Sequence, residues 1–230
     1  MSATDIAFTL DVADGRLPLT LTLNRAVIAG WTGRDPVARD RHIAELEKLG
    51  IARPASTPIY YRVAARRLTT AEAIEVTGPD SSGEVEFVLI GAEGRILVGV
   101  GSDHTDRKVE TFGVTVSKQM CDKPVAPVLW NFADVAGHWD QIVLRSFATI
   151  DGQRVLYQEG RLDGMLGVDD LLRNGFPDGK LPNGCAIFGG TFAAKGGIRP
   201  ATRFDFEIED PVLKRSIRHG YDVVVLPVLG

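Results

Sequence analysis

The chain has 230 residues, 44% of them hydrophobic and 24% charged, enough for one substantial core and too apolar for wholesale disorder. A net charge of -4, without a long lysine or arginine run interleaved with aromatics, argues against a nucleic-acid surface. Two distant cysteines, Cys121 and Cys185, suggest neither a disulfide framework nor a zinc site, and no stretch approaches the roughly 18 apolar residues of a membrane span.

The N-terminus lacks a basic region followed by an apolar one, so a single-domain, cytosolic protein that engages no membrane is predicted. Ile6 to Leu10 and Leu17 to Leu23 alternate apolar with polar residues across Asp14-Gly15, the pattern of a hairpin, and Arg25 to Ala29 reads as a third strand. From Asp35-Pro36 to Leu49-Gly50, Ile43, Leu46 and Leu49 recur at helical spacing, with Pro36 suited to the first turn and Gly50 to the stop. His42 and Glu45 are three apart and share a face of that helix. Two readings fit them: a carboxylate that orients a general-base imidazole, or a surface ion pair.

Extended runs resume at Ile59 to Val63 and Ala73 to Thr77, followed by Gly83-Glu84-Val85-Glu86-Phe87-Val88-Leu89-Ile90. Side chains at i and i+2 of a strand point to one face, about 7 Å apart at the backbone. Glu84 and Glu86 can therefore converge on one ion while Val85, Phe87 and Leu89 pack on the other face. The alternative is a half-exposed edge strand with its glutamates in water. Burying two like charges is costly unless a cation stands between them, and an all-oxygen site favours Mg²⁺, Mn²⁺ or Ca²⁺ over zinc. The next apolar run, Ile96 to Gly101, ends on Asp103, the natural third ligand, with His104 beside it in a supporting role.

Val109 to Trp130 is ambiguous, alternating in part through Phe112, Val114 and Val116 before Pro124 and Pro127. A hairpin is predicted at Val143 to Ile150 and Val155 to Gln158 across Asp151-Gly152, then a short helix from Val168 to Leu172. Strands follow at Ala186 to Thr191 and Phe204 to Glu209, a helical turn at Pro211 to Arg218 ending on His219, and a closing strand from Tyr221 to Val228. Gly189 to Gly197 is glycine-rich but lacks the Gly-Lys-Ser/Thr of a phosphate loop, and Cys121 reads as inert packing more readily than as a nucleophile. His138 reads as a hydrogen-bonded structural histidine. Strands outnumber helices and do not alternate with them, which excludes a Rossmann arrangement.

These pieces, in this order, resemble the fumarylacetoacetate hydrolase (FAH) superfamily from about Arg25 onward. Arg25 to Gly30 with His42 and Glu45 looks like its opening strand and lid dyad, Gly83 to Leu89 its metal-binding strand, and Gly101 to Arg107 the element that follows. Ser117-Lys118-Gln119 matches its active-site lysine, and Gly189-Gly190-Thr191 its late Gly-Thr turn. The resemblance implies an α+β, β-rich fold, a mixed β-roll with an N-terminal lid helix, divided into a lid-bearing segment at about 25–57 and a metal-binding core at about 58–230. It implies Mg²⁺, Mn²⁺ or Ca²⁺ on Glu84, Glu86 and Asp103, and His42, Glu45 and Lys118 as catalytic residues. Arg62, Arg107, Gln119 and Thr191 are implied to bind substrate.

The implied activity is hydrolysis of a carbon–carbon bond in a small oxo-acid, an acylpyruvate or 1,3-dicarbonyl, by a homodimer. Decarboxylation, isomerisation or hydration of an oxo-acid is the neighbouring outcome, and a non-catalytic small-molecule-binding module the alternative from another class. This sequence departs from the family in having Trp31-Thr32-Gly33 after the first glycine, a longer gap before His42, Tyr61-Arg62 where Phe-Lys is common, and a short interval from Glu86 to Asp103.

Overall fold

The structure is a computed structural model describing residues 3–48 and 53–229; of His42, Glu45, Leu46 and Lys48 only the backbone is described. In chain order β1 (Thr4–Val12), β2 (Gly15–Leu23) and β3 (Arg25–Gly30) precede α1 (Pro36–Lys48) and β4 (Ile59–Val63). Next come β5 (Leu68–Thr69), β6 (Ala73–Thr77), β7 (Ser81–Ser82), β8 (Val85–Ala92), β9 (Arg95–Ser102) and β10 (Thr105–Asp106). Helices α2 (Arg107–Phe112) and α3 (Val114–Met120) lead to β11 (Lys123–Pro124), β12 (Val128–Asn131) and α4 (Phe132–Val135). The chain ends with β13 (Val143–Ile150), β14 (Gln153–Arg161), α5 (Val168–Gly175), β15 (Cys185–Phe188), β16 (Arg203–Asp210) and β17 (Arg215–Leu226).

Two sheets carry the fold. The larger runs β2-β1-β12-β9-β8-β15-β3-β4 and is mixed, with β1 parallel to β12 and β15 parallel to β3. The smaller runs β14-β13-β16-β17-β6, antiparallel except where β17 meets β6. Val85, Phe87 and Leu89 face the smaller sheet, in a core with Trp139, Tyr157, Phe204 and Phe206. Val88 and Ile90 face the other way, into a second core that gathers Ile6 and Phe8 of β1 together with Tyr61 and Val63 of β4. Strands near opposite ends of the sheet thus share one core, so the sheet curls, as the predicted mixed roll requires. Strand β8 is buried on both faces, which is why it reads as a near-continuous apolar run. The two faces of the expected alternation fall into different cores.

Both hairpins form where expected. Ile6 lies opposite Leu21 and Leu10 opposite Leu17, and β13 pairs β14 with a bulge at Ser146/Phe147. Helix α1 starts as predicted: the Asp35 carboxylate accepts from the N–H of Val37 at 2.9 Å and of Ala38 at 3.3 Å, capping the first turn. It turns Ile43 inward while Val37, Asp40, Arg41 and Ala44 stay exposed. Strand β3, within the predicted lid-bearing segment, is an inner strand of the large sheet between β15 and β4.

The ambiguous 109–130 stretch opens as two short helices broken at Gly113, with Phe112 and Val116 exposed. One expectation fails. Pro211 to Lys214 is only a turn, and Arg215 onward is strand β17, which pairs with β16 through Ile217 opposite Ile208. His219 is therefore a strand residue in edge-to-face contact with Phe206, not a helix C-terminal residue.

Candidate metal centre

The register of one hairpin creates the site. Val85 pairs with Ser102 across β8 and β9, so the next rung sets Glu84 opposite Asp103, and the Asp103 N–H donates to the Glu84 carbonyl at 2.9 Å. Glu86, two residues along the same face, completes the group. One carboxylate oxygen from each of Glu84, Glu86 and Asp103 lies within 4.8 Å of the others. Adjacent-strand spacing thus brings together acids 17 and 19 residues apart in the chain.

The three carboxylates differ in surroundings. Glu86 is 2% exposed and accepts from the Gly190 N–H at 2.6 Å. Burial, then the nearby charges of Asp103 and Glu84, push its carboxyl well above the ordinary range. Asp103 is fully buried, and burial alone would raise it too, but the ammonium groups of Lys118 and Lys123 outweigh that and hold it at about 2. Lys118, from α3, forms a short hydrogen bond with Asp103 Oδ2 and lies 3.5 Å from Glu84 Oε2. Lys123, from β11, is 3.1 Å from Asp103 Oδ1 and donates to the His104 carbonyl.

Such buried ions persist only when paired and hydrogen-bonded. Lys123 is fully enclosed, and sequence reasoning missed it. A lysine before a proline in a Pro-punctuated stretch reads as a solvated loop, and its burial follows only from the pairing of β11 with β5.

Behind the acids, the Tyr221 hydroxyl of β17 bonds Ser102 Oγ and His104 Nδ1, each at 2.8 Å. His104 thus points toward Tyr221; burial, Lys123 and Arg107 lower its pKa to about 3, leaving a neutral imidazole at neutral pH. Asp106 instead caps α2, accepting from the Val109 N–H at 2.8 Å. Arg107 is 3.1 Å from Glu84 Oε1 and 2.9 Å from Glu110 Oε2, and donates to Ser82 Oγ at 2.7 Å.

Glu84, Glu86, Arg107 and Lys118 form one wall of a cleft of about 290 Å³, whose lining also includes Glu110 and Thr191, while Asp103 is fully buried behind that wall. The glycine turn at its edge has a steric reason. A Cβ on Gly189 would lie 1.9 Å from the Phe87 ring, and Gly190, whose N–H meets Glu86, has φ of +105° and would set a Cβ 1.9 Å from Thr32 Oγ1. Thr191 donates to the Val85 carbonyl at 2.7 Å and accepts from Gln158 at 2.7 Å.

Two residues implied to bind substrate are not brought to the cleft. Tyr61 lines it, so Arg62, the next residue of β4, points away and donates to the carbonyls of Asn24, Ala26 and Val63. Gln119 is exposed and donates to the Arg62 carbonyl at 2.8 Å. The side chains of His42 and Glu45 lie outside the described residues. His138 bonds Asp210 at 2.9 Å, and Cys121 is buried with its thiol pushed up by burial; both have the structural settings expected of them.

A family model described as "Protein of unknown function (DUF2848)" matches residues 29–221. Solved structures share the fold. A 2-keto-3-deoxyarabinonate dehydratase aligns at 16% identity with a TM-score of 0.67, over 89% of this chain and 75% of its own. That enzyme is also known complexed with magnesium and 2,5-dioxopentanoate. Cg1458 aligns at 13% identity and TM-score 0.63, over 98% of this chain and 100% of its own. The 4-oxalocrotonate decarboxylase of Pseudomonas putida G7, complexed with calcium and acetate, aligns at 14% identity and TM-score 0.55, over 87% and 77%. These three proteins belong to the FAH superfamily. No curated protein matches the chain.

Proposed function

The chain belongs to the DUF2848 family, and for it we propose divalent-metal-dependent chemistry on a small 2-oxo acid, with hydrolysis of a carbon–carbon bond as the leading reaction. The observation that carries the reading is the convergence of Glu84 and Glu86, which line the cleft, with the buried Asp103 behind them, all within 4.8 Å and with Lys118 against Glu84 and Asp103. The donors are all carboxylate oxygens, which suit a hard cation such as Mg²⁺, Mn²⁺ or Ca²⁺. Glu86 fits the role: a desolvated carboxyl beside two others ionises readily only when further positive charge joins it.

Bound there, the cation supplies Lewis-acid polarisation of the substrate's carbonyl and carboxylate oxygens. The chain's own groups do the rest. Lys118 lines the cleft and offers its ammonium to the oxygen on which enolate charge develops. Arg107, fixed by Ser82 and Glu110, holds Glu84 in place as a ligand. Helix α1, whose Arg39 lines the same cleft, carries His42 and Glu45. In the hydrolytic reading His42, oriented by Glu45, takes a proton from the water that adds to the carbonyl. The carbon–carbon bond then breaks, and the departing enolate is protonated.

A second reading, loss of water or carbon dioxide through the same enolate, is favoured by the fold shared with a dehydratase and a decarboxylase. The cleft of about 290 Å³ has room for roughly ten water-sized groups, suited to a small acid rather than a nucleotide. Membership of the FAH superfamily and a homodimeric assembly are part of the same proposal.

The test is a panel of 2-oxo acids and acylpyruvates with Mg²⁺ or Mn²⁺, read by mass spectrometry. Gain of water with scission marks the hydrolase, and loss of water or of carbon dioxide marks the lyase. Protein that carries no divalent ion, and whose melting temperature ignores added Mg²⁺ and Mn²⁺, is a binding module without this chemistry.

A further inference from the structure

The cleft has a second charged feature that the metal centre does not use. Arg39 of α1 lines it with its side chain 17% exposed and its Cβ 3.7 Å from the Cβ position of Gly33. Its Nε is buried and makes no hydrogen bond among the described residues. Among the described residues its ion-pair partner is the adjacent Asp40, at 3.6 Å and itself 57% exposed. The other cations of the lining are committed: Arg107 to Ser82, Glu84 and Glu110, and Lys118 to Asp103 and Glu84.

Among the described residues Arg39 is therefore the cleft cation that no carboxylate hydrogen-bonds, its one ion-pair partner being the exposed, adjacent Asp40. A buried donor left unpaired is costly, and a guanidinium fork matches a carboxylate with two parallel hydrogen bonds. Much of the remaining lining is apolar, through Ile28, Ala29, Val114 and Ile198, which suits a short methylene chain.

Resting on the reading of the cleft as a cation and oxo-acid site, we propose that Arg39 binds a second carboxylate, so that the substrate is a 2-oxo diacid. One acid group with its neighbouring carbonyl goes to the cation, and the other reaches the wall formed by α1. Arg39 is then a specificity residue, separate from the groups that hold the ion.

Calorimetric titration of the Mg²⁺-loaded protein tests this with oxalate, which needs only the metal end, and with two matched pairs, 2-oxoglutarate against 2-oxovalerate and 2-oxoadipate against 2-oxohexanoate. The expected result is a preference of about tenfold or more for at least one diacid over its partner, the effect of a charge-assisted hydrogen bond. Arg39→Met should remove that preference and leave oxalate affinity unchanged, while Arg39→Lys keeps part of it. Oxalate binding with no diacid preference in the wild type, or a preference that survives Arg39→Met, overturns the role of Arg39 and leaves the metal-site reading standing. Failure of oxalate and all four oxo acids to bind overturns both. Should Arg39→Met fail to fold, the wild-type pairs and Arg39→Lys decide, a lysine variant with undiminished preference counting against the proposal.

Discussion

The two walls of the cleft are built on opposite terms. The acid wall comes from β8, β9 and the segments that follow, and Glu86, Asp103, Lys118 and Lys123 are all buried in it and tied to one another or to backbone. The helical wall, α1, sits on the outside with most of its described side chains exposed, turning Arg39 and Ile43 inward. Charges of the first wall are fixed by neighbours before anything binds, which is what electrostatic catalysis needs. On the proposed reading, the second wall can select a ligand without disturbing the carboxylates of the first.

The sharpest break of that contrast is Asp103→Ala. It removes one donor and strands two buried ammonium groups, so it should abolish Mg²⁺ binding and cost about 3–5 kcal/mol of stability in urea unfolding. A loss under 1 kcal/mol would mean that Lys118 and Lys123 do not depend on it.

On the other wall, His42→Ala should leave stability and the Mg²⁺-induced rise in melting temperature intact while lowering turnover roughly 10²–10⁴-fold. Full activity in that variant refutes the lid-base role. Glu86→Gln separates binding from folding within the acid wall. It should eliminate the Mg²⁺ response, yet leave the metal-free protein as stable as the wild type or more so, because it removes a desolvated carboxyl whose neighbours oppose its charge. A large destabilisation of the metal-free protein counts against this.

The smallest effect belongs to the approach to α1. Arg34 pairs with Asp140 through two hydrogen bonds of 2.7 and 2.8 Å and donates to the Met165 carbonyl, but both charged groups are substantially exposed. Arg34→Ala should cost no more than about 1 kcal/mol. The Arg34 hydrogen bond holds the Asp140 carboxyl below its ordinary value, so the contribution is present above the ordinary carboxylate pKa and fades as pH falls through the lowered one. A pH titration of wild-type and variant stability should converge at the acid end.

Much of the fold was legible because period-2 and turn signals are local. The β1–β2 and β13–β14 hairpins and the capped start of α1 rest on residues within a few positions of one another. The acid pair was legible for the same reason: Glu84 and Glu86 share a face by strand geometry, and Asp103 needed only the inference of a β8–β9 hairpin. The 109–130 stretch, ambiguous in sequence, forms short helices on either side of Gly113, and the misreading lies after Pro211, where a stretch with a helical pattern is a strand by its pairing with β16. Arg62 and Gln119 were implied by position in a motif, but the direction of a side chain from β4 or α3 is set by register and packing.

By itself, the sequence determined the strand-rich class, the hairpins, the helix that bears His42 and the carboxylates that face together, since each follows from backbone periodicity. Only the tertiary structure decided that Lys123 is sealed against Asp103, that Tyr221 reaches across from the second sheet to His104, and that Arg39 turns into the cleft. Those contacts join residues remote in the chain. They depend on how a curled sheet closes over its core, which no local pattern of residues encodes.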